Sequence, residues 1–420
     1  MTILDRTIPP AYKLVENITF AWPSPVAADM PLFVLQKSDM ELIHVTVLSS
    51  ASRHNEPQNG VAYMTGKMCL EGTSRKDTKQ IADDIDYYGA HINVTHRPDY
   101  NSIELITLAK YVAPMAELLA ELVSTSIFPA QQIARLQKIK IQELKVENEQ
   151  SNFLAYTHFK QAVLGKQHPY SYRLSADDVM AITKAHLWEY YQQHWLPSCK
   201  IVLSGNITDE HIALVQRSFA SMKYITPPTP SPAITIQPPT KVHIPKQGSL
   251  QSAICIGKVL FPQTHPDYAA MYVVTTLLGG YFGSRLMCNI REEKGYTYHI
   301  EATLIPLKAA TYFLITTEVM QAFAAQACQE IYHEIKRLQN EAVSHEELSK
   351  LKNYMIGDFL THLNDPFYVI ERFKEAHLHQ LDQNFYHQLF DTIRHITPQR
   401  IQHLAQQYLS VDSLTEVCVG

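Results

Sequence analysis

Residues 60–73 read Gly-Val-Ala-Tyr-Met-Thr-Gly-Lys-Met-Cys-Leu-Glu-Gly-Thr, and the apolar spacing predicts a helix over 62–71. Residues three and four apart lie on one face of a helix. Tyr63, Gly66 and Lys67 therefore form one short strip. That strip offers a phenol, a bare hydrogen and an ammonium. None of these holds a metal ion or takes a proton from water at neutral pH.

Outward from this helix the chain alternates strands and helices. Leu32–Gln36 and Leu42–Ser49 read as strands, Thr78–Tyr88 as a helix, and Ala90–Thr95 and Ser102–Ala109 as strands. Helical patterns follow at 112–126, 130–150 and 177–194, then a strand at Lys200–Ser204 and a helix at 208–221. Residues 226–239 carry six prolines in fourteen positions, which excludes a helix or a central strand and predicts a semi-rigid linker.

Beyond the linker a similar order returns. Ser252–Val259 reads as a strand, Asp267–Leu278 and Ser284–Glu293 as helices, and Thr297–Leu304 and Thr311–Thr317 as strands. Helices at 320–339, 344–362 and 398–408 precede a last strand at Leu414–Val419. The repeated order predicts a duplication, with halves at 1–225 and 240–420.

With 46% hydrophobic residues, the chain can bury real cores. Its net charge of −5 and lack of any long Lys/Arg run give no reason to expect nucleic acid. The six cysteines are scattered with no C-x-x-C pair, which argues against a zinc finger and fits a reducing compartment. The N-terminus has no apolar stretch of signal-peptide length, and no 18-residue apolar run occurs. No membrane span and a cytoplasmic location are the expectations.

The second informative stretch runs from Leu277 to Tyr298: Leu-Leu-Gly-Gly-Tyr-Phe-Gly-Ser-Arg-Leu-Met-Cys-Asn-Ile-Arg-Glu-Glu-Lys-Gly-Tyr-Thr-Tyr. No Gly-Lys-Ser/Thr follows its glycines, so a phosphate loop is a poor fit. Gly279, Gly280 and Gly283 suit a tight turn between helices or the close approach of a peptide backbone. Ser284 suits an N-cap and Gly295 a helix-ending glycine. Period-two alternation then puts Tyr298, Ile300, Ala302 and Leu304 on one side of a strand. Taken alone, the residues favour a structural partnership of Arg291 with a carboxylate, and a core position for Tyr298.

Both stretches resemble the pitrilysin/insulinase family of inverted zincins. That family carries His-x-x-Glu-His on a helix of its first half, with a glutamate ligand about 76 residues on. Two imidazoles at i and i+4 grip one zinc ion, a third ligand leaves a place for water, and the motif glutamate is the base. The surrounding words persist here: Gly60-Val-Ala, Met68, Glu71-Gly-Thr, Ile81-Ala-Asp-Asp-Ile and Tyr88-Gly-Ala-His-Ile-Asn. Tyr63 and Lys67 stand at the two ligand positions and Gly66 at the base position. Counting the same distance from Lys67 reaches Glu143, so the third carboxylate is retained. Contact between the Lys67 ammonium and Glu143 is the expectation. None of the twenty histidines supplies a replacement site: His377 and His379, for example, point from different helix faces.

The resemblance implies an α+β fold of two tandem duplicated domains, each a mostly antiparallel sheet covered by helices, forming a clamshell. It implies that Arg291 and Tyr298 bind the substrate backbone. It further implies a non-catalytic, substrate-clamping subunit of a heterodimeric zinc metalloendopeptidase that cleaves peptides. The zinc is expected in a homologous partner subunit carrying His-x-x-Glu-His. The alternative is a proteolytically inactive structural or peptide-binding protein, like the core subunits of respiratory complexes.

Overall fold

The computed structural model describes residues 21–26, 31–36, 41–222, 224–225, 233–363 and 365–420. Residues 226–232 of the expected linker lie outside the described residues, while 233–240 carry no helix or strand.

The first half runs β1 (Ser24–Pro25), β2 (Leu32–Gln36), β3 (Leu42–Ser49), α1 (Val61–Met68), α2 (Thr78–Tyr87), β4 (His91–Arg97), β5 (Tyr100–Leu108), α3 (Val112–Ser124), α4 (Ala130–Glu149), α5 (Ser151–Leu164), α6 (Ala176–Ala181), α7 (Lys184–Tyr190), β6 (Cys199–Gly205) and α8 (Asp209–Phe219). The second half runs β7 (Lys241–Ile244), β8 (Gln251–Leu260), α9 (Tyr268–Gly279), β9 (Ile300–Pro306), β10 (Thr311–Met320), α10 (Ala324–Asn340), α11 (His345–Leu363), α12 (Pro366–Leu378), α13 (Gln383–His395), α14 (Pro398–Tyr408) and β11 (Thr415–Val419). The sequence reading lacks β1, β7, α5, α12 and α13. The expected helix at 177–194 is α6 and α7 plus a π-helical turn at Tyr191–Trp195. Thr183 caps the second of these by accepting from the His186 backbone N–H at 3.2 Å.

Each half holds one sheet. The first is ordered β1-β2-β6-β3-β5-β4 and the second β7-β11-β8-β10-β9. Removing the two-residue β1 leaves the same diagram twice, with a parallel pair at one end (β2 with β6, β7 with β11) and antiparallel pairs elsewhere. This is the α+β, mostly antiparallel duplication that the sequence implies.

One face of each sheet meets its own helices. Ile43, Val45, Val47, Ile103, Leu105, Ile201 and Leu203 pack with α1, α3, α7 and α8 residues. Ile254, Ile256, Ile300, Ala302, Phe313 and Ile315 pack with α9, α10 and α14 residues. The other faces are covered reciprocally. From the first half, α5 sets Ala155, Phe159 and Val163 on Ala253, Cys255, Leu314, Val417 and Val419 of the second sheet. From the second half, α12 lies on the first sheet, with Phe373 against Phe33 at 5.0 Å and Phe367 against His44 at 5.3 Å between ring centroids. Leu35 and Val202 of the first sheet thereby join the second half's core.

The α12 contact also buries charge. The Lys374 side chain is fully buried, and its ammonium lies 2.6 Å from Glu104 and also bonds Glu371. Burial would raise the Glu104 carboxyl, but the ammonium outweighs it and holds the group below its ordinary range. Burial, with a smaller push from Lys374, takes the neighbouring His44 imidazole down to about 4. Removing one partner of a buried pair strands the other and costs about 3–5 kcal/mol. Lys374→Met should lower the unfolding free energy by about that amount in urea titration, and Lys374→Met/Glu104→Gln should recover at least half of the loss. Both shifts are downward, so the unfolded state binds more protons in acid and stability falls with pH. Melting temperature should drop from pH 6.5 toward pH 4 through His44 and below about pH 4.5 through Glu104, with a shallower first limb in His44→Gln.

Candidate functional site

Helix α1 starts at Gly60, which holds φ +89°, a conformation that favours glycine. The Glu56 carboxylate accepts from the Ala62 backbone N–H at 2.9 Å and from the Tyr172 hydroxyl at 2.6 Å. The helix then runs close to the edge strand β4. A Cβ on the buried Gly66 would come within 3.0 Å of a Val94 methyl. A side chain at this position would therefore have to push the valine methyl aside by a few tenths of an ångström.

One turn away, the Tyr63 hydroxyl donates to Glu143 Oε2 of α4 at 3.2 Å. The Lys140 ammonium lies 3.2 Å from that same oxygen and 3.2 Å from Glu147 Oε1, and 5.0 Å from the Tyr63 ring centroid. Burial first, then the Glu143 charge, pushes the Tyr63 phenol well above its ordinary value, so it stays a donor. Glu143 thus faces the strip of α1 as the counting predicts, but its partner is not Lys67. Among the described residues Lys67 has no ion-pair partner. Tyr63, one turn earlier, reaches Glu143, and Lys140 sits three residues from it on its own helix.

His96 lies edge-on to Tyr63, with ring centroids 6.1 Å apart. Its Nδ1 bonds Asn101 Oδ1 at 2.8 Å, and Arg53 Nε donates to its Nε2 at 3.4 Å. Burial, with Arg53 as the next cause, takes this imidazole down to about 3, so it is neutral. Both ring nitrogens are engaged. The donors on Glu143 are thus a phenol and an ammonium, the imidazole beside Tyr63 is occupied elsewhere, and this set does not fit zinc. Among the described residues no cluster of three His, Cys, Asp or Glu side chains has metal-binding geometry. Lys140 is absent from the sequence reading, and His96 is among the histidines that it sets aside as metal ligands. The i, i+3 spacing to Glu143 could have revealed Lys140; nothing local reveals the contact of His96 with Tyr63.

The second stretch is built differently. Helix α9 packs so close to β9 that a Cβ on Gly279 would lie 2.5 Å from the Ala302 nitrogen, and one on Gly280 would lie 2.6 Å from Thr276 Cα. A Cβ on Gly283 would meet the Tyr281 ring at 2.9 Å. All three glycines thus meet close neighbours within the chain itself. Ser284 is fully buried and its hydroxyl has no partner among the described residues, so it does not cap the next helix through its side chain. The helix expected at 284–293 is π-helical over Met287–Glu293, and Asn289 anchors it by donating to Glu334 at 2.7 Å. Gly295, at φ +64°, ends it with its N–H on the Arg291 carbonyl. Arg285 is structural, paired through two nitrogens with Glu347 at 2.7 and 3.0 Å.

Arg291 has no carboxylate within ion-pair distance among the described residues. Its guanidinium lies 4.8 Å from the ring centroid of Phe282, which is itself exposed. Strand β9 begins at Ile300, later than expected, and Tyr298 sits on the bend before it, 90% exposed. The alternation holds for Ile300, Ala302 and Leu304, which are buried, and fails for Tyr298. Neither residue therefore has the structural role that its local sequence favours: the arginine lacks its carboxylate and the tyrosine its core.

Residues 41–170 match the family described as Insulinase (Peptidase family M16), and residues 181–355 match the Peptidase M16 inactive domain. The chain belongs to the insulinase, or M16, peptidase family. It is 21% identical over 372 residues to the uncharacterized zinc protease YmxG of Bacillus subtilis, covering 87% of this chain and 90% of that one. It is 22% identical over 245 residues to subunit 1 of the mitochondrial cytochrome b-c1 complex of Bos taurus, covering 56% of this chain and 50% of that subunit. A solved peptidase M16 inactive domain from Pseudomonas fluorescens shares the fold with TM-score 0.85 and 20% identity, over 95% of this chain and 98% of that one. Among the described residues no helix is long and apolar enough to cross a membrane.

Restoring ligands at two positions should restore affinity where the present donor set gives none. The purified chain should carry no stoichiometric zinc by metal analysis, and Tyr63→His/Lys67→His should take up about one equivalent through Glu143. Adding Gly66→Glu should cost about 1–3 kcal/mol in thermal or urea unfolding by overpacking Val94, and Val94→Ala should relieve that cost.

Proposed function

We propose that this chain is the non-catalytic, substrate-clamping subunit of a heterodimeric zinc metalloendopeptidase. The observation that carries the reading is the contrast between the two sites. At the metal position Tyr63 and Lys140 engage Glu143, while among the described residues Arg291 has no carboxylate partner, only the Phe282 ring, and Tyr298 is exposed. A guanidinium and a phenol are good donors to a peptide carbonyl or to a developing oxyanion. An exposed aromatic and an unpaired arginine also match the residue types that anchor interfaces. The zinc and its activated water belong in this reading to a homologous subunit that carries His-x-x-Glu-His. The peptide binds extended between the two chains, in part by adding a strand to a sheet edge. Six free cysteines suit the cytoplasm as the place of assembly.

A second reading is supported by the similarity to the cytochrome b-c1 subunit: a structural or peptide-binding protein of this fold with no proteolytic role. Coexpression with a homologue that has an intact motif separates the two. Cleavage of a quenched fluorescent peptide library by the pair, and not by this chain alone, is the expected outcome. Arg291→Ala and Tyr298→Phe should each lower kcat/KM of the pair more than about tenfold, the scale of losing one transition-state donor. Copurification of a stable complex with unchanged turnover in both variants would favour the structural role.

A further inference from the structure

Donors without acceptors collect beside the degenerate metal position. Arg53 stands on a 3-10 turn at Arg53–Asn55 of the first half. Its Nε donates to His96, the imidazole next to Tyr63, and its guanidinium lies 5.0 Å from the Tyr172 ring centroid. Lys160 comes from α5, half-buried, with its ammonium 4.7 Å from the Tyr156 ring centroid. Among the described residues neither cation has an ion pair, and Lys160 has no hydrogen bond. The two are neighbours: burial first, then the Arg53 charge, takes the Lys160 ammonium down to about 8.

Two phenols complete the set. Tyr156 lies one turn before Lys160 on α5, and Tyr312 of β10 packs in the same cluster beneath that helix. Tyr312 is only 1% exposed, and its hydroxyl has no partner among the described residues. Burial pushes the Tyr156 phenol up to about 12 and the Tyr312 phenol well above its ordinary value, and the Arg53 charge reaches both. Both phenols therefore keep their proton at neutral pH and can donate.

The carboxylates nearby are already engaged. Glu56 accepts from the Ala62 backbone N–H and the Tyr172 hydroxyl, and Asp99 from the Tyr170 hydroxyl and the Lys308 backbone N–H. Two like charges side by side and partly desolvated disfavour each other, and an anion between them relieves both. A buried hydroxyl without a partner is a further cost that an acceptor removes. A group with two acceptor oxygens and a negative charge answers the whole set, and the group of that kind that a peptide carries is a carboxylate.

We propose that Arg53, Lys160, Tyr156 and Tyr312 form a site for a carboxylate of the bound peptide. The proposal rests on the clamping function above and names a feature of its substrate: a C-terminal carboxylate or an acidic side chain, seated where the first half meets α5 and the second sheet.

The test uses the purified full chain and unlabelled, N-acetylated Ala/Ser peptides, with affinity read by isothermal titration calorimetry. One peptide ends in a free carboxylate, one in an amide, and a third series is amidated with a single glutamate walked along the frame. Either the free acid or one glutamate position should bind at least about tenfold tighter than the amidated frame, the scale of a hydrogen bond to a charged group, and which of them gains identifies the source of the carboxylate. Lys160→Met should remove that gain, leave the amidated frame unchanged and raise the melting temperature of the free chain, because it removes one of two unpaired like charges. Tyr312→Phe, which takes away only a hydroxyl without a partner, should cut the gain at least about threefold without lowering the melting temperature. Equal affinity for the acid, amide and glutamate peptides, or a gain that survives both substitutions, overturns the site and leaves the clamp standing. A lower melting temperature in Lys160→Met also overturns the site, since the ammonium would then have a partner within the chain. Failure of every peptide to bind overturns the clamp and the site together.

Discussion

The structure depends on a reciprocal exchange of helices. Each sheet buries one face with its own half and receives the cover of its second face from the other half. Helix α5 does this for the second sheet through Phe159 and Val163, and α12 for the first sheet through Phe373 and Lys374. A central strand such as β3, buried along nearly its whole length, requires cover on both faces. Neither half has that cover alone. The duplication visible in the strand order is therefore not a pair of independent modules. Pro-Asp-Tyr at 98–100 adds a further tie: Asp99 accepts from the Lys308 backbone N–H at 3.0 Å and from the Tyr170 hydroxyl at 2.5 Å, joining a turn of the first half to the second half's β9–β10 hairpin.

This constraint explains what was legible in the sequence. The main strands and the helices α1, α3, α10 and α11 follow from local periodicity, because each shows its own half an apolar stripe. The helices that cross between the halves do not. The sequence of α5, Ser-Asn-Phe-Leu-Ala-Tyr-Thr-His-Phe-Lys-Gln-Ala-Val-Leu, spreads apolar and aromatic residues around the helix rather than along one stripe. Helix α12 did carry a readable start, with Asp365 as N-cap before Pro366, and its interior mixes buried Phe373 with buried Lys374. A buried lysine reads as a surface residue until its carboxylate is known, and Glu104 is 270 positions away.

At the candidate site the positions were legible and the partnerships were not. Tyr63 of α1 meets Glu143 of α4, because the two helices cross there. Which cation answers Glu143 is a matter of side-chain reach. Tyr63 and Lys140 approach the carboxylate from two helices and leave Lys67 outside the cluster. The exposure of Tyr298 was also hidden, since period-two alternation extends naturally back from Ile300. The strand ends at a bend that two threonine hydroxyls set, a device with no periodic signature.

Glu143 is half-exposed, and its charge is met within the chain as well as by water. The negative charges of Glu143 and Glu147 are answered by one ammonium, and Glu143 also accepts from a phenol that stays protonated. Glu143 thereby links α4 to α1. The same logic applies in reverse to Arg291 and Tyr298. Among the described residues no carboxylate or core contact rewards the guanidinium or the phenol beyond the Phe282 ring. With the two halves locked by α5 and α12, the proposed reading gives the half-buried Arg291 and the exposed Tyr298 a complement outside this chain. That is why the proposed cleft lies between subunits rather than within one.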